Sequence, residues 1–99
     1  MSPVHPGEIL LEEFMKPRHM STFSLAQSIG VPVTRLNAII RKRRGITVTS
    51  ARRLAQFFGT SIELWTNLQT FYDLEVSRRI NPGLEATIQP CPKLTSCPS

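Results

Sequence analysis

Cysteine is scarce in this 99-residue chain, and both cysteines, Cys91 and Cys97, lie within the last ten residues. A structural metal site wants four ligands at short paired spacings, and no histidine stands near these two, so a metal-held fold is excluded. We read them as reduced, incidental thiols, because a chain of this kind does not keep disulfides in a reducing compartment. Histidine is almost as rare, with only His5 and His19. His5 is placed to cap the first helix and His19 falls in an exposed loop, so neither is read as catalytic. The three glutamates near the start, Glu8, Glu12 and Glu13, space out as a solvated helix face and make no poised acid–base pair. No glycine-rich phosphate loop occurs. No apolar run reaches the roughly 18 residues of a membrane span. The opening stretch "MSPVHPGEILLEEF" has no basic segment ahead of its apolar residues, which argues against a signal peptide and for a cytoplasmic protein. Strand-like alternation is missing too, as are Asn-Gly and Asp-Gly hairpin signals. We see no cofactor, no small-molecule substrate and no enzyme in these residues.

Acidic residues are absent from one long segment, and that absence is the most informative. Between Arg35 and Arg53 stand Arg35, Arg41, Lys42, Arg43, Arg44, Arg52 and Arg53, with no Asp or Glu among them. The whole chain carries a net +5, so everything outside this segment sums to −2. A local patch of that density implies a local anionic partner. Hydrophobic residues make up 40% of the chain, enough for one modest core.

Punctuation divides the chain into five helices and a tail. "HPGEILLEEFMK" has Pro6 where a first turn accepts proline and Glu8 at the positive end of the dipole; Ile9, Leu10 and Phe14 share a face, and Pro17 is expected to end it. "STFSLAQSIG" starts at the cap Ser21, buries Leu25, Ala26 and Ile29, and stops at Gly30. After a short "GVP" turn, "VTRLNAII" turns Leu36, Ile39 and Ile40 inward. "TVTSARRLAQFFG" has Thr47 as cap, Leu54, Ala55 and Phe58 as its stripe, and Gly59 as its stop. "TSIE" predicts a capping box of Thr60 and Glu63 opening the longest helix, where Trp65, Leu68 and Tyr72 make one stripe and Leu64, Phe71 and Leu74 widen it. Trp65 suits a core, yet the stripe as a whole exceeds what one packed face needs. Trp65, Leu68, Phe71 and Tyr72 are therefore candidates for a dimer or partner interface. The proline-rich end reads as a flexible tail, giving a folded domain over residues 1–79 and a tail over 80–99.

Residues 22 to 41 have the layout of a helix-turn-helix. Ala26 is small where two helices approach, Gly30 takes the turn, and Val31, Leu36 and Ile39 plug the joint. Val33, Thr34, Arg35, Asn37, Ala38 and Arg41 point away from that joint. Short side chains with one Asn and two Arg suit base edges in a major groove. An ordinary αα-corner would not need them.

The runs "HPGEIL", "LAQSIGV", "RLNAII", "RRGIT" and above all "FGTSIELWTNLQTFYDL" resemble the HigA/VapI-type antitoxins of the Xre-like helix-turn-helix group, across roughly residues 5 to 79. The resemblance implies an all-α, compact five-helix bundle of the lambda-repressor-like kind. It also implies a homodimer that binds a palindromic double-stranded DNA operator, represses its own operon and neutralises a HigB-type, RelE-like mRNA-cleaving toxin. A stand-alone Xre-type regulator without a toxin is the alternative. By position it puts Thr22 near phosphate, Val33, Thr34, Asn37 and Ala38 at base edges, and Arg41 and Arg44 on the backbone; Arg35 and Arg43 complete the candidate DNA-binding set. One departure stands out. The family commonly has Asn-Gly after the recognition helix, and this chain has Arg41 and Lys42. Without the glycine the helix is expected to run on or to end at Gly45.

Overall fold

A computed structural model describes residues 3–92. Among them all regular structure is helical, in five helical segments and one short 3₁₀ turn. The first, α1, is composite: an α-turn over Pro6–Ile9, a π-helical stretch over Leu10–Met15 and a 3₁₀ turn over Lys16–Arg18. Then come α2 (Thr22–Ile29), α3 (Val33–Ile40), α4 (Val48–Phe58) and α5 (Ile62–Ile80). The all-α bundle expected from the sequence is the fold observed.

Caps explain most helix starts. The Ser21, Thr47 and Ser61 hydroxyls each accept from the backbone N–H three residues on, at 3.1, 3.2 and 3.1 Å. The expected capping box at Thr60 is therefore corrected by one residue. Ser61 caps α5, and the Thr60 hydroxyl instead accepts the Trp65 indole N–H at 2.8 Å. His5 caps α1 as expected, its Nδ1 accepting from the Gly7 N–H at 2.9 Å. Gly30 and Gly59 end α2 and α4 in the left-handed region.

Pro17 does not stop α1. The chain tightens into the 3₁₀ turn around it and reverses at His19, which takes φ 54°. The π-helical stretch has a packing consequence. Its wider turn brings residues five apart onto one side, so Leu10 and Met15 are both fully buried, while Ile9 and Phe14 are half-buried.

The core joins Leu10 and Met15 to Leu25, Ala26, Ile29, Leu36, Ile39, Ile46, Ala51, Leu54, Ala55 and Trp65. Trp65 is the largest of the fully buried side chains. Phe14 and Phe58 lean on its ring with centroids 4.8 and 6.2 Å away. The Arg18 guanidinium covers the outer faces of Phe14 and Phe58 at 5.7 and 5.1 Å. The sequence offered Trp65 as an interface residue as well. Complete burial with its N–H satisfied inside the fold removes it from that role.

α1 packs on α3 and α5, α2 on α3 and α4, and α4 on α5. α1 and α3 approach closely at Gly7, where any Cβ would collide with the Ile39 carbonyl at the end of α3. Both colliding groups belong to helical backbone, so neither can swing aside. Gly7→Ala should cost on the order of 2–3 kcal/mol in urea unfolding. Gly59→Ala should cost only about 1 kcal/mol, because Gly59 has a left-handed φ of 73° but open space around it. Equal costs for the two would refute the account.

Burial lowers the His5 pKa below its ordinary 6.5, and Lys42 lowers it further; Asp73, the Arg44 backbone and Glu8 oppose the shift. The unfolded chain therefore takes up the proton first. Stability from this residue is complete above pH 6.5 and is lost as pH falls below it, with a limiting slope of about 1.4 kcal/mol per pH unit. Denaturation of wild type and His5→Asn at pH 7.5 and pH 5.5 checks this: the wild type should lose more on acidification.

Candidate nucleic-acid interface

α3 divides sharply into two faces. Leu36 and Ile39 are buried and Ile40 is half-buried, which fixes the helix against α1 and α2. Val33, Thr34 and Arg35 are exposed, and Asn37 and Ala38 are half-exposed. The outward set is the one the 3.6-residue period gives once Leu36 and Ile39 point inward. Thr22 is the first residue of α2, directly after its cap Ser21, and is half-exposed.

α3 ends at Ile40, with Arg41 as its cap residue. It neither runs on nor waits for Gly45, as the missing glycine suggested. Lys42 itself turns left-handed at φ 66°. The Arg43 N–H then bonds back to the Ala38 carbonyl at 2.8 Å and the Lys42 N–H to the Ile39 carbonyl at 3.1 Å. This is the hydrogen-bond pattern a C-terminal glycine usually makes, formed here on a lysine at a cost of roughly 1 kcal/mol.

The reversal spreads the basic run. Lys42 turns back to Glu8 on α1, with Nζ 3.0 Å from the carboxylate. Arg41, Arg43 and Arg44 are exposed, and among the described residues none of them, nor Arg35 or Arg52, has a carboxylate within ion-pair distance. The Arg41 Nε donates to the Asn37 Oδ1 at 3.4 Å, linking an outward residue of α3 to the first of the basic run. The site is thus an exposed helix of short polar side chains bordered by cations without internal partners. Its shape suits a groove and its charge suits a polyanion.

Two supports escaped the sequence. The Gln69 Oε1 on α5 accepts the Ile46 N–H at 2.7 Å and the Gln69 Nε2 donates to Asp73 at 2.9 Å, so α5 holds the far end of the basic loop. Nothing in a lone Gln on a helix signals this. Arg53, counted with Arg52 in the basic segment, is used inside the fold. Its Nη1 donates to the Ile29 carbonyl at 2.9 Å, satisfying the end of α2 beside Gly30. Arg52 has no such contact.

On α5, Leu68 and Tyr72 are half-buried, and Tyr72 meets His5 edge-on with ring centroids 4.7 Å apart. Phe71 and Leu74 lie open to solvent at 68% and 44% exposure. The exposed apolar surface of this helix thus includes Phe71 and Leu74 in its middle, with Ile62 and Ile80 exposed at its two ends.

Comparison with known proteins matches residues 11–65 to the family described as "Helix-turn-helix". The chain is 44% identical to "Virulence-associated protein I" of Dichelobacter nodosus, over 89% of this chain and 82% of that protein. It is similar to the structure "Pseudomonas aeruginosa antitoxin HigA with higBA promoter", with 39% identity, TM-score 0.84 and coverage of 89% of this chain and 97% of that one. It is also similar to "antitoxin GraA in complex with its operator", with 38% identity, TM-score 0.83 and coverage of 92% and 93%.

The two neighbouring arginines on α4 should separate experimentally. Arg53→Ala should lower unfolding free energy by about 1 kcal/mol, the worth of one hydrogen bond to a helix end. Arg52→Ala should stay within about 0.5 kcal/mol of wild type. Thermal or urea unfolding of the pair would expose an error if the order were reversed.

Proposed function

Starting from the fact that this chain belongs to the helix-turn-helix family of its matched residues 11–65, we infer that it is a DNA-binding antitoxin-type regulator that represses its own operon. The observation that carries the reading is the outward face of α3 beside arginines with no internal partner. Similarity to an antitoxin solved with its promoter and to another solved with its operator supports it.

The roles follow from position. α3 enters the major groove. Thr34 and Asn37 read base edges, Val33 and Ala38 supply methyl contacts, and Arg35 reaches the groove wall. Thr22 at the start of α2 meets phosphate, and Arg41, Arg43 and Arg44 clamp the backbone. Arg41 does more than add charge, because its bond to Asn37 fixes the amide that faces the base. The work is binding through shape, charge and hydrogen bonds, and it calls for no catalytic group. We place the protein in the cytoplasm, where its operator is.

A second copy is needed to read a two-fold operator. The exposed Phe71 and Leu74, with Leu68 and Tyr72 at their border, form the face through which two protomers associate. The protein partner we assign is a HigB-type toxin, a RelE-like mRNA-cleaving enzyme, by extension from the antitoxin likeness.

Mobility shift on DNA from the protein's own promoter tests the reading. Wild type should form a specific complex, and Asn37→Ala with Arg41→Ala should reduce its affinity at least tenfold, since each good base contact is worth about 1–3 kcal/mol. Arg44→Ala should weaken all sequences alike and lower the slope of log K against log salt by about 0.9 for each phosphate it no longer neutralises. Undiminished specific binding by the double variant would sink the assignment of α3.

A further inference from the structure

The basic loop is anchored at its two ends by different helices. Toward α3, the Arg41, Lys42 and Arg43 N–H groups bond back to the Asn37, Ile39 and Ala38 carbonyls at 2.9, 3.1 and 2.8 Å. At the other end the Ile46 N–H goes to a side chain, the Gln69 Oε1 of α5, at 2.7 Å. Ile46 is buried in the core, so its N–H is poorly placed to use water and needs a protein acceptor. Gln69 is held in turn. Its Nε2 donates to the Asp73 Oδ1 one helical turn on, at 2.9 Å. A primary amide carries an acceptor on one branch and donors on the other, and here each branch is used. Gly45 completes the arrangement. A Cβ at that position would stand 2.9 Å from Cδ, Oε1 and Nε2 of Gln69. A free glutamine could swing aside from it, but this one is tied at both branches. The left-handed glycines are Gly30 and Gly59, so position 45 uses the missing side chain rather than backbone freedom.

We propose that Gln69 is a positioning residue of the nucleic-acid interface, with Gly45 and Asp73 as its two supports. The three form a clasp that hangs the far end of the basic loop from α5 and so sets where Arg43 and Arg44 stand relative to α3. A glutamine that served α5 alone would need only its partner Asp73. The shorter of its two bonds instead crosses 23 residues to the loop backbone. Among the described residues Arg43 and Arg44 have no carboxylate within ion-pair distance, so their placement depends on the backbone beneath them. That backbone is fixed at one end by α3 and at the other by the clasp. Gln69 acts through Ile46 and touches no DNA itself. The consequence for operator affinity rests on the function inferred above, whereas the clasp does not.

Amide hydrogen exchange of the full chain, followed by NMR, reads the clasp without DNA. Alanine is the best helix former, so Gln69→Ala removes both branches while leaving α5 intact. The Ile46 amide, measured relative to Leu54 in the core, should exchange about fivefold faster in Gln69→Ala than in wild type, as local opening becomes more frequent. Asp73→Leu should give a smaller rise, and Asp73→Asn, which keeps an acceptor for the Gln69 amide, should stay near wild type. Gly45→Ala should speed exchange at Ile46 about fivefold on its own, yet add less than about twofold in the Gln69→Ala background, where the side chain it collides with is gone. In mobility shift on the promoter DNA, Gln69→Ala should bind about fivefold more weakly with a shallower salt slope, since fewer phosphates are met at once. Asp73→Asn should bind as wild type does. Wild-type exchange at Ile46 in Gln69→Ala, or an equal effect of Gly45→Ala in both backgrounds, overturns the clasp. Faster exchange with undiminished affinity and slope overturns the positioning role. Should wild-type protein fail to bind the promoter at all, the inferred function falls and the positioning role with it, and the exchange rates still decide whether Gln69 holds the loop.

Discussion

The contact of Gly7 with the Ile39 carbonyl sets the terms for much of what surrounds it. Helical backbone meets helical backbone there without a side chain between them. So short a distance fixes the first turn of α1 at the end of α3, and it places His5 and Glu8 behind the residues that follow. The cap at His5 and the ion pair at Glu8 are consequences of that seating. A larger residue at position 7 would separate the helices and carry Glu8 away from Lys42. The cost of the close approach is met by burial on either side, since Leu10 and Leu36 are fully buried.

Charge density is the second constraint, and the fold handles it unequally. Four adjacent cations repel one another, yet only Lys42 is given a carboxylate. Its left-handed φ explains why. The reversal sends Lys42 back toward α1 while its neighbours continue outward. The pair is exposed, so its own energy is small, at most about 1 kcal/mol. Its effect is on direction. Mutual repulsion among Arg41, Arg43 and Arg44 is left in the free chain, and an anionic partner would relieve it on binding. A site built this way gains affinity from what it leaves unpaired.

Much of the fold was legible in the sequence because the deciding signals are local. Caps at Ser21 and Thr47, the glycines at 30 and 59, and the inward pattern Leu25, Ala26, Ile29, Leu36 and Ile39 depend only on spacing, and all are found. The failures share a different cause. Pro17 signals an end to an α-helix, but α1 had already widened, and a turn that has left the α-pattern can tighten around proline. Thr60 precedes Ser61, and both can cap; the choice went to Ser61 because the buried Trp65 indole needed an acceptor, a tertiary demand that no capping rule contains. Lys42 fills the left-handed position where a glycine is usual, and the turn carries it to Glu8, distant in sequence, which no local rule contains. Cys97 and the rest of residues 93–99 of the proposed tail fall outside the described residues, while Cys91 is exposed.

Arg52 and Arg53 show how far a composition argument about binding can reach. Both count equally toward the seven cations between residues 35 and 53. Adjacent helical positions differ by about 100° in direction, so two neighbours cannot serve the same surface equally. Arg53 faces the end of α2 and closes an open carbonyl there. Arg52 is left to solvent. The basic segment therefore holds charges of three kinds: one folded into a helix end, one turned toward a glutamate, and the rest outward and unpaired. Only the last kind is available to a polyanion. The patch left for a polyanion is smaller than the net charge suggests, and it is more directed: Arg41 reaches back one helical turn to Asn37, while the turn at Lys42 commits that cation to Glu8.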